Sequence, residues 1–228
     1  VAFLFGEQMH IMIAMPAYTG VVHMGTMRCL FTDITSLLKR GDTYTFVDDI
    51  GNALIADSRS ITATKFFEES DCDQLIFIDN DVSWEAGALL KLIDAPEDLV
   101  AGIYPRRKDP IEYAVHYLEK EELWANPETG LLEVKAVPTG FLKISRNCIA
   151  KLIEAFPESH RYEADSEKRF YPLFDHIFED DYKWGEDYSF CIRWRKMGGK
   201  VWIDPEMHMG HTGHKMFQGH LGNWLKNR

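Results

Sequence analysis

Cysteine is scarce in this chain and never paired. Four occur in 228 residues, at Cys29, Cys72, Cys148 and Cys191, with no CxxC and no short spacing. That fits reduced thiols in a cytoplasmic compartment better than a disulfide framework or a zinc knuckle. Long apolar runs are missing too: no window approaches the roughly 20 residues that cross a bilayer, so no integral membrane segment is expected. The opening Val1-Ala2-Phe3-Leu4-Phe5 lacks the basic start and the length of a signal peptide. The chain begins with Val rather than Met, so removal of a native N-terminus is expected. Positive charge is in short supply, with 25 Lys and Arg against 36 Asp and Glu and a net charge of −11. A nucleic-acid surface needs clustered cations, and Arg106-Arg107-Lys108 is the only dense basic run. An anionic ligand would have to be met locally, by a metal ion or a few placed cations. Low-complexity tracts and fixed-period repeats are absent as well.

What the chain does have is a globular composition, 46% hydrophobic and 13% aromatic, and a regular alternation of patterns. His10 to Met15 reads as a strand, closed by Pro16 and the small-residue loop Ala17-Tyr18-Thr19-Gly20. A helix follows from about Met24 to Lys39, with Met27, Leu30, Phe31, Ile34, Leu37 and Leu38 at helical spacing and Gly41 as its stop. Thr43 to Val47 is a strand ending at Asp48-Asp49, Asn52 to Glu69 a helix, and Leu75 to Ile78 a strand. Ser83 is placed to cap a helix over Trp84 to Ile93, and Leu99 to Ile103 is another strand. This alternation predicts a parallel α/β sheet with helices on both faces. Later, Ala114–Tyr117 and Leu131–Ala136 read as antiparallel additions around a turn at Asn126-Pro127. Phe141–Ser145 is a strand, Asn147–Ala155 a helix, and 158–181 a charged, aromatic loop region. A helix over Asp187–Met197 stops at Gly198-Gly199. Lys200–Ile203 is a last strand before a histidine- and glycine-rich tail. With no linker in view, one mixed α/β domain is expected.

The run Leu75-Ile76-Phe77-Ile78-Asp79-Asn80-Asp81-Val82 takes a buried strand straight into two carboxylates. In open α/β sheets, ligands bind beyond the carboxyl ends of strands. Two acids at this spacing can converge on a hard divalent cation, which would relieve their repulsion. As a bare pattern D-x-D fits a solvated turn equally well. An EF-hand loop is excluded, because its sixth and twelfth positions would be Trp84 and Leu90 instead of Gly and Glu. A haloacid-dehalogenase-like phosphohydrolase also carries strand-D-x-D, but after its first strand, whereas two strand–helix units precede it here. Further along, Gly185-Glu186-Asp187-Tyr188 sets two more acids at a helix start. Val201-Trp202-Ile203-Asp204-Pro205 then leads to Met209-Gly210-His211-Thr212-Gly213.

Strand-D-x-D, a helix-opening Glu-Asp and a late His-x-Gly, in that order, resemble the GT-A class of nucleotide-sugar-dependent glycosyltransferases, particularly its small cytosolic bacterial and viral members. The resemblance covers about Met12 to Gly219, and Gly185 to Gly213 carries most of it. It implies a GT-A type fold: a mainly parallel nucleotide-binding sheet flanked by helices, with a smaller antiparallel acceptor-side portion. Residues 1–9 would be a tail, 10–110 the nucleotide-binding half and 111–228 the acceptor and metal half. The cofactor implied is Mn²⁺ or Mg²⁺. The partners implied are a nucleoside diphosphate sugar, UDP-linked by expectation, and a carbohydrate or other hydroxyl acceptor.

By the same resemblance Asp81 and His211 would be metal ligands, and Asp79 would share the metal or reach the ribose. His208, His214 and His220 are nearby competitors that read more simply as loop residues. Tyr18 would stack on the base, with Asn52, Asp57 and Arg59 on the nucleoside and diphosphate. The familiar Arg-Asn pair is Arg59-Ser60 here, and a surface pair of Asp57 with Arg59 reads equally well. Asp187 would be the general base of an inverting transfer, with Glu186 on acceptor or donor hydroxyls. Both acids also suit the positive end of a helix dipole. Thr139 and Gly140 lie in a turn expected to approach the donor sugar, and Tyr104 and Lys108 are candidate sugar or phosphate contacts. Three rivals stand beside this reading. They are the phosphohydrolase acting through Asp79 and Asp81, a non-catalytic carbohydrate-binding protein, and a sugar-nucleotide pyrophosphorylase. The last should carry a Gly-rich basic loop where this chain has Met15-Pro16-Ala17-Tyr18-Thr19-Gly20.

Overall fold

The computed structural model describes residues 8–119, 122–161, 167–179 and 181–227. The apolar opening Val1–Phe5 lies outside them. Strand β1 (His10–Pro16) leads to α1 (Met24–Arg40), β2 (Thr43–Asp49), α2 (Ile55–Glu69) and β3 (Gln74–Ile78). Next come β4 (Val82–Trp84), α3 (Ala88–Asp94), β5 (Leu99–Gly102), β6 (Leu132–Val134), β7 (Phe141–Ser145) and α4 (Arg146–Ala155). Two short hairpins follow, β8 (His160–Arg161) with β9 (Arg169–Phe170) and β10 (Phe178–Glu179) with β11 (Tyr182–Lys183). Helix α5 (Glu186–Lys196), β12 (Val201–Asp204), β13 (His208–Thr212), β14 (Met216–His220) and α6 (Leu221–Lys226) complete the order.

Seven strands form one sheet in the order β2-β1-β3-β7-β5-β12-β6. Five of them run in one direction; β7 and β6 oppose their neighbours. The apolar runs pack from both sides, as strands covered on two faces must. Ile11, Ile13, Ile76 and Ile78 meet Leu30, Ile34 and Leu37 of α1 and Leu89 and Leu92 of α3. The alternate residues Met12, Ala14, Leu75 and Phe77 meet Phe66 of α2, Leu152 of α4 and Phe190 of α5. The expectation of a mainly parallel sheet with helices on both faces is met. The main addition is β7, inserted antiparallel between β3 and β5.

Three local expectations need correction. Ser83 caps no helix: Val82–Trp84 is a strand paired with β13, and α3 begins only at Ala88, after Gly87 at φ 88. The α3 start is held instead from α1. The buried Asp33 carboxylate accepts the Gly87 and Leu89 N–H groups and the Trp84 indole N–H, at 2.7, 3.0 and 3.0 Å. In 114–117 no strand forms, only a single bridge from His116 to Ala136. The histidine-rich tail is ordered: β13 and β14 make a hairpin that joins β4 in a three-stranded antiparallel sheet. That sheet carries His211 towards the exit of β3. Gly41, at φ 97, ends α1 as its position suggested. Among the described residues, no helix is long and apolar enough to cross a membrane.

Candidate active site

Beyond the carboxyl end of β3 the acids separate into two groups. Asp79 turns towards Arg59, a helix α2 residue only 4% exposed. Arg59 Nη2 donates to Asp79 Oδ1 at 3.0 Å and Nη1 donates to Glu186 Oε1 at 2.6 Å. Burial works against the guanidinium charge, but Asp79 and Glu186 outweigh it and hold the Arg59 pKa above its ordinary value. The other Asp79 oxygen takes a long hydrogen bond, 3.5 Å, from the Tyr104 hydroxyl. Gly140 completes this group: its N–H donates to Tyr104 Oη at 3.1 Å, and its carbonyl accepts the Asp79 N–H at 2.9 Å. A Cβ at Gly140 would lie 2.4 Å from both Asp79 Oδ2 and Tyr104 Oη, so only glycine lets the three close up. Thr139 beside it is buried, and its hydroxyl has no partner.

Asp81 faces the other way. Its Oδ1 lies 3.4 Å from His211 Nε2, and its Oδ2 meets the Arg107 guanidinium. His211 Nδ1 is 2.9 Å from the Pro105 carbonyl, which can only accept, so the ring proton sits on Nδ1. Burial first, and Arg107 after it, lower the His211 pKa although the Pro105 contact and Asp79 oppose this, so the ring is neutral near pH 7. The Nε2 lone pair therefore points at a carboxylate oxygen. Two electron-rich atoms face each other with no hydrogen between them, an arrangement a cation resolves.

Asp187 opens α5 next to Glu186, and its Oδ1 accepts the Tyr188 N–H at 2.8 Å. Burial, with repulsion from Glu186 behind it, raises its pKa from 3.8 to about 6, against the pull of Arg59 and the Tyr188 N–H. This group is poised to accept a proton near neutral pH.

The remaining expected residues divide. Asn52 and Asp57 line a cleft of about 460 Å³ at the end of β2, together with Asp48, Asp49, Thr62 and Lys65. Asn52 is braced there, donating to Asp49 Oδ2 at 3.1 Å and accepting the Leu54 N–H at 3.0 Å. Tyr18 stands near this cleft, 62% exposed, its carbonyl accepting the Gly51 N–H. Arg59 forms no surface pair with Asp57; it is buried under Asp79 and Glu186. Lys108 is bound to Glu112 at 2.7 Å. His220 pairs with Glu206, and the His214 ring packs on Phe217. A cavity of about 640 Å³ between Ile111, Tyr113 and Trp224 includes neither acid pair.

Two features escaped the sequence reading. Arg107 was visible only as part of a basic run, although it follows β5 and so lies beyond the carboxyl ends of the parallel strands. Asp48 and Asp49 were read as a strand end, although two acids at a parallel strand's exit are the same signal as Asp79 and Asp81.

No family model matches the chain, and no curated protein matches it by sequence. Among solved structures, A197 from STIV matches with a TM-score of 0.53 at 19% identity, over 90% of this chain and 86% of that one. GalNAc-T7, solved with UDP, GalNAc and Mn²⁺, matches with a TM-score of 0.51 at 13% identity, over 92% of this chain. The match covers 46% of GalNAc-T7, so this chain spans under half of that protein. At such identities the shared property is the fold, and the fold is of GT-A type.

Proposed function

We propose that the protein is a metal-assisted glycosyltransferase, moving a sugar from a nucleoside diphosphate to an acceptor hydroxyl. The observation that carries the reading is the bare contact of His211 Nε2 with Asp81 Oδ1 at the carboxyl end of the central sheet. Carboxylate oxygens suit Mn²⁺ or Mg²⁺, and the imidazole nitrogen favours Mn²⁺ of the two; the ion would be held by Asp81 and His211 with Asp79 nearby. When bound, such an ion offsets the negative charge that develops on a departing diphosphate.

The chain's own residues supply the rest. The cleft at the end of β2 takes the nucleoside, with Tyr18 at its rim. Arg59 fixes Asp79 and Glu186 so that their oxygens present one geometry to the sugar. Asp187 accepts the acceptor hydroxyl's proton as that oxygen bonds to the anomeric carbon and the bond to the diphosphate oxygen breaks. The phosphohydrolase alternative needs Asp79 as a nucleophile, and both its oxygens are engaged. UDP is the expected nucleotide. In a thermal-shift panel of nucleoside diphosphates, UDP with Mn²⁺ should stabilise the protein well beyond either alone. A response to phosphate esters but to no nucleotide would sink the reading.

Arg107 competes with the ion for Asp81 and is about half exposed, free to swing towards a diphosphate. Arg107→Ala should therefore tighten Mn²⁺ binding about tenfold, the worth of one charge-assisted hydrogen bond, as followed by the free-ion signal in electron paramagnetic resonance. The same variant should weaken UDP binding at saturating Mn²⁺. Unchanged Mn²⁺ affinity would show that Arg107 merely rests on the surface.

A further inference from the structure

A second convergence of ligand-type atoms lies at the opposite end of the sheet. His10 opens β1, while Asp71 and Cys72 sit in the turn between α2 and β3. One ligand atom from each falls within 4.8 Å of the other two. Since Ile11 is in register with Gln74, this cluster lies at the amino ends of β1 and β3. Asp79, Asp81 and His211 lie past the carboxyl ends, so the two sites are independent.

The imidazole is held from several sides. Its Nε2 is 2.8 Å from Thr45 Oγ1 of β2, and the His10 backbone N–H donates to Asp73 Oδ2 at 2.7 Å. Its Nδ1 is 3.0 Å from Asp71 Oδ1. Without an ion, the ring proton on Nδ1 serves the Asp71 carboxylate and the Thr45 hydroxyl donates to Nε2. An ion taking Nδ1 would move the proton to Nε2, where Thr45 can accept it. Metal-bound histidines are oriented in this way, through a contact on the nitrogen that does not bind the ion. The Asp71 side chain is 92% exposed whereas Cys72 is buried, so an ion would enter from the Asp71 side and stop at the thiol.

We propose that His10 Nδ1, the Asp71 carboxylate and the Cys72 sulfur form a binding site for a zinc-class divalent ion, with water as fourth ligand. Ligand bonds of about 2.0–2.3 Å set tetrahedral partners roughly 3.3–3.8 Å apart, so small side-chain rotations close the present spacing. Binding converts the Cys72 thiol to thiolate and releases its proton to solvent. A thiolate selects zinc-like ions over Mn²⁺ and Mg²⁺, so the two ends of the sheet would hold different metals. The ion would tie the start of β1 to the α2–β3 turn, and through Thr45 to the edge strand β2. It acts as a clip on the fold, separate from the transfer chemistry.

The test uses Co²⁺ as a coloured stand-in for Zn²⁺, added to the whole chain. One equivalent should produce a thiolate-to-cobalt charge-transfer band in the near ultraviolet, displaced by Zn²⁺. Cys72→Ala should abolish the band. Because Cys72 is buried and that variant can misfold, His10→Gln, which keeps a donor for Thr45, is the second arm. It should weaken Co²⁺ binding by about 10- to 100-fold, and Zn²⁺ should raise the melting temperature of the wild type but not of this variant. Absence of the band in folded wild type would overturn the proposal. So would a band of undiminished affinity in His10→Gln, since that assigns it to another cysteine.

Discussion

Asp81→Ala should abolish Mn²⁺-dependent nucleotide binding and lower kcat/KM by about a thousandfold, equivalent to ~4 kcal/mol of transition-state stabilisation. Among the described residues, Asp81 is the carboxylate in contact with His211 Nε2, and Asp79 is turned to Arg59 and Tyr104. Removing Asp81 leaves a lone imidazole, which holds Mn²⁺ poorly. The fold should survive. Arg107 is half exposed and regains water, and His211 keeps its Pro105 contact. The melting temperature without nucleotide should therefore stay close to wild type, and only the increment added by UDP with Mn²⁺ should vanish. Asp79→Asn makes the informative contrast. It keeps a hydrogen-bonding partner for Tyr104 and Arg59 but weakens the ion pair, so it should affect sugar positioning more than metal affinity. Activity unchanged in Asp81→Ala would remove the metal site from this end of the sheet.

How much of this was legible beforehand follows from the range of the interactions. Strand β3 and its acids could be read because four apolar residues followed by charge mean a buried strand leaving a sheet. That signal is contained within eight residues. Helix α1 could be read for the same reason, since Gly41 marks its end locally. The role of Arg59 could not. Its partners are Asp79 and Glu186, the latter 127 positions away, and nothing next to Arg59 distinguishes a buried clamp from a surface cation. Ser60, beside Arg59, is buried and accepts the Phe174 N–H, another distant contact. The β13–β14 hairpin was missed because its apolar residues are sparse. Met209 and Phe217 face the core while histidine and glycine fill the rest, so the alternation is too thin to separate from a loop. Ser83 misled for a related reason. A Ser followed by a helical-looking run suggests a cap, but Val82–Trp84 is held as a strand by β13, far along the chain.

Asp187→Asn should separate catalysis from binding and from stability in one variant. As the acceptor's base, Asp187 must be unprotonated, so wild-type kcat/KM should fall about tenfold per pH unit below its pKa of about 6. Asn cannot take the proton, and transfer should drop by a factor of about 10² to 10⁴, with no such acid limb remaining. Donor binding should persist, because the contacts of Asp81 and His211 with each other, Arg107 and Pro105 do not involve Asp187. Stability should move the other way. The carboxyl pKa rises from 3.8 to about 6 on folding, so between those values the folded chain holds the extra proton. The stabilising contribution is complete below about pH 4 and is lost as pH climbs through 6, where a buried charge remains beside Glu186. At pH 8 that charge costs ~3 kcal/mol, and Asn, which still accepts the Tyr188 N–H, removes it. The variant should therefore be the more stable protein at pH 8 by about 2–3 kcal/mol in urea denaturation, with the gain gone near pH 4. A binding residue with no part in proton transfer would lower donor or acceptor affinity and leave the acid limb in place. Loss of the acid limb together with the stability gain would show that this carboxylate is kept at a cost to the fold, for the proton it accepts.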